Sequence, residues 1–163
     1  MKHIRSFVAG VAACALVAST LIAAAPARPS SAQQTSTSTD DPAAPVFAET
    51  CGKCHDAARI VAMRRTSADW EDIIKKMIEK GAPGTEKDFE IVFDYLLRHH
   101  GKLNINTAPP SEMVAILSLT QKEAENVLAY RKSNGPFADF DAVRKVPDID
   151  VKKLDERKDA ITF

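Results

Sequence analysis

The sequence predicts an all-α protein. Two observations carry this expectation. Apolar residues recur at helical spacing along the body of the chain, and Gly and Pro fall between those runs rather than inside them. No segment shows the alternation expected of a series of strands.

The N-terminus sets the compartment. "MKHIRSFVAGVAACALVASTLIAAA" places Lys2 and Arg5 ahead of an unbroken apolar run, and "SSAQQ" follows with small residues at Ser30 and Ala32. A charged head, an apolar middle and a small-residue exit make a secretory signal over residues 1–32. A retained membrane anchor is the alternative, and "VAAC" ending at Cys14 also has the form of a lipidation site. The expected location is the periplasm. Residues 33–45 begin as "QQTSTSTDDPAAP", too polar to bury a core, and read as a flexible spacer.

About 120 residues remain, enough for one ordinary domain or two small ones. The whole chain balances 22 basic against 22 acidic residues. Without the signal it carries 19 against 22, a net charge of −3. Residues 40–101 hold 9 basic and 12 acidic side chains, and residues 102–163 hold 10 of each. Neither half is a strongly basic body of the kind that embraces nucleic acid.

Chemistry concentrates in "ETCGKCHDAAR", residues 49–59. Removal of the signal takes Cys14 away, so the mature chain has two cysteines, Cys51 and Cys54, with His55 directly after. A structural zinc site needs four ligands in two close pairs, and the second pair would have to be the adjacent His99 and His100. A redox dithiol of the thioredoxin type needs an α/β surround. A disulfide between 51 and 54 would close a tiny loop and stabilise little. The remaining reading is the C-x-x-C-H attachment signature for haem c, one covalent haem, with Cys51 and Cys54 as thioether partners and His55 as the proximal iron ligand. A covalent apolar macrocycle also supplies a centre for some 55 residues that make a poor core alone.

Two helices follow. In "TSADWEDIIKKMIEKGAPG", Thr66 and Asp69 form a capping box, Trp70, Ile73, Ile74, Met77 and Ile78 share one face, and Gly81, Pro83 and Gly84 end the helix. In "TEKDFEIVFDYLLRHHG", Thr85 and Asp88 repeat the cap, Phe89, Val92, Phe93 and Leu96 share a face, and Gly101 stops it. The sixth iron ligand is expected at Met77, 22 residues after His55 on a core-facing stripe. Met63 is the runner-up, eight residues after His55. An ordinary core methionine is the plain alternative for Met77. His99 and His100 are expected at the solvent end of their helix.

Residues 46–101 resemble small class I cytochrome c domains, in the bacterial form marked here by C-x-x-C-H, Arg64, Arg65, Thr66, Trp70, Met77, Gly81, Ala82, Tyr95 and Leu96. The resemblance implies a single-electron carrier with redox protein partners rather than an enzyme, and no substrate.

Residues 102–163 carry other marks: "NINTA" at 104–108, "AYRKSNGPF" at 129–137, "FDAVRKV" at 140–146 and a closing "AITF". Met113, Ile116 and Leu117 lie on one helical face and Ala124, Val127 and Leu128 on another. This half resembles the tandem helix-hairpin-helix domain of the competence protein ComEA. That family turns each hairpin with Gly-hydrophobic-Gly, setting bare N–H groups against DNA phosphates. Here the turns read Ser118-Leu119-Thr120 and Asp148-Ile149-Asp150. The glycines are gone and two carboxylates stand where phosphates would approach. Lys152 and Lys153 offset charge without restoring the backbone geometry. A docking module is therefore the first expectation for this half, with duplex DNA the alternative partner and haem then structural or sensing.

Overall fold

The computed structural model describes residues 40–163. The expected export signal, Cys14 and the start of the expected spacer lie outside the described residues. Among the described residues no helix is long and apolar enough to cross a membrane. The fold is all-α, as expected, with helices α1 (Ala44–Cys51), α2 (Ser67–Glu79), α3 (Glu86–His100), α4 (Pro110–Leu117), α5 (Gln121–Asn134), α6 (Phe140–Val143) and α7 (Val151–Glu156). A single 3-10 turn, Ala57–Arg59, follows the cysteine motif.

Local chemistry explains the helix starts. Thr66 Oγ1 accepts from the Asp69 N–H while Asp69 accepts from the Thr66 N–H, and Thr85 and Asp88 repeat the exchange. Each pair satisfies two of the orphan donors at a helix N-terminus. Order reaches back into residues expected in the spacer. Asp41 accepts from the Ala43 N–H at 2.8 Å and from His99 Nε2 at 2.7 Å, with Arg98 3.2 Å away. The His99 bond leads in holding the Asp41 carboxyl down at about 2, well below its ordinary value. α1 then packs against α3, with Phe47 stacked on Tyr95 at a 4.9 Å centroid separation.

The C-terminus of α3 is the hub of the molecule. A helix leaves its last four carbonyls without intrahelical donors. Here Arg157 donates to the Arg98 carbonyl at 2.7 Å, and Arg64 donates to those of His99 and Gly101, both at 3.1 Å. The Trp70 indole and the Arg65 N–H both donate to the His100 carbonyl, at 3.1 and 3.0 Å. The donors come from the segment before α2, from α2 and from the end of α7. Contrary to the solvent position expected for the two histidines, His100 is 5% exposed and His99 is half-buried. The hub folds the end of α3 inward, and helix ends reach water only when nothing caps them.

Gly101 then lets α3 approach α4. A Cβ there would overlap the Leu97 carbonyl and lie 2.9 Å from Ile116 Cγ1. Beyond it the C-terminal half closes on itself. One departure from the all-helical reading is a two-residue parallel pair, β1 (Leu103–Asn104) with β2 (Ile161–Thr162), which joins the two ends of this half. Thr162 Oγ1 donates to the Leu103 carbonyl at 3.0 Å, so "AITF" is a clasp. Asn106 of "NINTA" pairs twice with Phe137 of "GPF", accepting from its N–H at 2.7 Å and donating to its carbonyl at 3.0 Å. One hydrophobic core runs through both halves, from Phe47, Trp70 and Leu96 to Ile116, Val127 and Leu154.

Candidate functional site

The cysteine motif lies where α1 ends. Cys51 is the last residue of α1 and is half-buried, whereas Cys54 and His55 are exposed. Both thiols are free. Burial pushes the Cys51 thiol up to about 11. It is a neutral thiol at ordinary pH, unlike the thiolate of a redox dithiol, which sits in an electropositive surround.

Cys51, Cys54 and His55 open onto one cavity of about 150 Å³. Its far wall comes from the apolar stripes of α2 and α3. Ile73, Ile74 and Met77 contribute from α2, and Phe89, Val92 and Leu96 from α3. Ile60 and Ala82 complete the lining, with Lys80 the charged member. The apolar faces read from the sequence thus point partly at the core and partly into this cavity. Trp70, Val92 and Leu96 are buried, but Ile73, Ile74, Met77 and Phe89 keep partial exposure. Helical apolar faces this incompletely covered are unusual unless something apolar fills the space between them.

The two methionines part company. Met77 lines the cavity with the cysteine motif, and Met63 stands outside it, 61% exposed. His99 and His100 do not reach the cavity. His99 is engaged by Asp41, and His100 is buried beside Tyr95. Among the described residues no group of three or more His, Cys, Asp or Glu side chains converges as a metal site. The zinc arrangement weighed from sequence therefore has no second ligand pair.

At the hairpin tips one expectation is corrected. Ser118 and Asp148 adopt left-handed backbone conformations, with φ of 57° and 54°. The turn geometry survives the loss of glycine, because short polar residues tolerate this region when the flanking helices impose it. Leu119 and Ile149 point inward as anchors, the first 2% exposed and the second half-buried. The last residue of each turn has become a helix cap. Thr120 Oγ1 accepts from the Glu123 N–H, and Asp150 Oδ1 accepts from the Lys152 and Lys153 N–H groups. Donors that would face outward on a glycine turn are consumed within the chain.

Glu123, which sequence reasoning passed over, ties the two hairpins together. It accepts from the Thr120 N–H at 2.6 Å, the Asp150 N–H at 2.9 Å and Lys153 Nζ at 2.9 Å. Burial alone would raise its carboxyl, but these donors outweigh burial and hold it at about 2. The Thr-x-x-Glu spacing at 120–123 was the signal that could have found it. For Ile60 no such signal existed, since it belongs to no periodic run.

Comparison with known proteins gives separate matches for the two ends of the chain. Residues 98–162 match the helix-hairpin-helix motif family. Residues 18–88 match the haem-binding family of the quinohemoprotein amine dehydrogenase alpha subunit, a cytochrome-like likeness. ComE operon protein 1 of Bacillus subtilis (strain 168) is 37% identical over 60 residues, covering 37% of this chain and 29% of that protein. Endonuclease/exonuclease/phosphatase family domain-containing protein 1 of Danio rerio is 36% identical over 53 residues, covering 32% of this chain. The chain spans only 10% of that protein's length. No solved structure matches.

Proposed function

We propose that this protein is an exported, periplasmic carrier of single electrons, holding one covalent haem c in the cavity between α1, α2 and α3. The observation that carries the reading is the convergence of Cys51, Cys54, His55 and Met77 on a single apolar cavity. Cys51 and Cys54 would hold the group through thioethers, and His55 and Met77 would be its axial ligands. When bound, haem c supplies reversible one-electron exchange at iron, and a methionine ligand raises its potential. The chain's own part would be to exclude water from the cavity and to present His55 and Met77 to the group. The Ile73, Ile74, Phe89 and Leu96 side chains make the dry wall.

Purified protein, co-expressed with haem-attachment machinery, is expected to gain one haem mass and to show a sharp α-band on reduction. Its oxidised form should show the weak near-infrared band of methionine ligation, lost in Met77→Ala and kept in Met63→Ala. A mature chain with unmodified thiols ends this reading.

A second reading, duplex DNA binding by residues 98–162, draws more direct support from the comparisons, through the helix-hairpin-helix match and ComE operon protein 1. The left-handed Ser118 and Asp148 favour it, since the turns keep the required shape. Against it stand the internally capped N–H groups and the Asp148 and Asp150 carboxylates. Counterion release provides the test. Binding to duplex with a log–log salt slope near zero, or none in dilute buffer, removes this reading. A steep negative slope that grows on replacing Ser118, Thr120, Asp148 and Asp150 with Gly supports it.

A further inference from the structure

A second depression lies on the opposite side of the wall that closes the cysteine-motif cavity. Ile74 and Phe89 line both, so these two side chains are common to the outer groove and the cavity. The groove runs between α2 and α3. Its floor is apolar, from Ile78 and Phe93, and Ile78 is 46% exposed. Its rim is anionic: Glu71 and Glu79 stand on α2 and Glu86 and Glu90 on α3, against one cation, Lys75.

This negative field extends past the groove. Glu112, at the start of α4, has its carboxyl raised first by burial and then by the nearby charge of Glu71. An apolar floor ringed by four carboxylates is soluble while open and asks for a partner that brings both cations and apolar surface.

We infer that this groove docks a redox protein whose contact face carries lysines or arginines around an apolar centre. The inference rests on the haem reading above and adds the class of partner and the place where it sits. In the complex one electron leaves this protein and one is gained by the partner's oxidised centre. No proton moves and no bond changes on either side. Ile74 and Phe89, common to groove and cavity, would bring the two centres near each other while excluding water. Carboxylates at the rim steer the encounter, so its rate falls as salt rises.

The probes are tris(phenanthroline) complexes, cations that carry apolar rings. An NMR titration of the haem-loaded protein with the inert ruthenium(II) complex is expected to shift the amides of Ile78, Glu86 and Phe93 saturably, and not in 0.5 M salt. The double variant Glu86→Lys/Glu90→Lys, on an exposed surface, should weaken that binding at least roughly tenfold, equivalent to about 1.4 kcal/mol. In stopped flow, oxidation by the cobalt(III) complex should slow in the same variant while oxidation by ferricyanide quickens. A reduced haem band with no saturable shifts, or with equal responses to both oxidants, overturns the docking surface and leaves the haem reading intact. Absence of the haem band overturns the haem reading itself. Dimerisation of the wild type at low salt that Glu86→Lys/Glu90→Lys abolishes would assign the groove to a second copy of this chain and also overturns the proposal.

Discussion

Glu123 and His100 are both buried and titratable, and they predict two separate acid transitions. The Glu123 carboxyl is held at about 2 in the fold against an ordinary 4.5. Its folded value is depressed, so its contribution is fully present above about pH 4.5 and is lost as pH falls towards 2. His100 is held at about 4 against 6.5 by burial first and then by the His99 and Arg64 charges. It is buried neutral, so protonation favours unfolding, and its loss runs from pH 6.5 down to 4. Urea unfolding across pH 7.5 to 3 should therefore show His100→Phe flattening the upper window only. Glu123→Gln should flatten the lower one and cost about 1–3 kcal/mol at pH 7, because three donors lose their anionic acceptor. Identical pH profiles for wild type and His100→Phe would refute the assignment for His100, whose buried Nε2 has no hydrogen-bond partner among the described residues.

At the scale of elements, the two hairpins show how a turn keeps its shape after its glycines have gone. Ser118 follows α4 as a left-handed C-cap with φ 57° and ψ 27°, a conformation costing an ordinary residue about 1–2 kcal/mol. Ser118→Gly removes that strain but adds unfolded-state entropy of about 0.5–1 kcal/mol, so stability should change little or rise. Ser118→Val places a β-branched residue in the same conformation and should lose about 2 kcal/mol or more. At the next helix, Thr120→Ala removes the acceptor for the Glu123 N–H and should cost about 1 kcal/mol. Chemical denaturation of the three variants is the check, and equal stability of the Gly and Val variants would contradict a left-handed Ser118. The same caps bear on function, since a helix N-terminus satisfied by its own Thr or Asp has less to offer a phosphate.

For the molecule as a whole, the carbonyl hub at the end of α3 matters most. Arg64 and Trp70 reach it from the N-terminal half and Arg157 from the C-terminal half. With one continuous core beneath them, the two halves should unfold together. Trp70 fluorescence and far-ultraviolet ellipticity are expected to give one coincident transition in denaturant. Arg157→Ala should lower its midpoint by about 1–3 kcal/mol of stability without splitting it, since it strips a donor from the buried Arg98 carbonyl. Two resolved transitions in the wild type would show that the halves fold apart.

Helix positions, caps and the cysteine motif were legible in the sequence because each depends on residues within one or two turns of each other. Thr66 with Asp69, Thr85 with Asp88, the stripe through Trp70 and Met77, and the spacing of Cys51, Cys54 and His55 are all local patterns. The hairpin marks were legible as a resemblance, and their cause became visible only in the pairing of Asn106 with Phe137 and of β1 with β2. What tertiary structure alone decided is everything that joins residues far apart in the chain. It separated Met77 from Met63, buried His100, anchored Asp41 on His99, put Glu123 between two turns and left Ser118 and Asp148 left-handed. The reason is physical: periodicity records which face a residue takes on its own helix, whereas a cavity, a buried charge or an imposed φ depends on what the rest of the chain brings to that face.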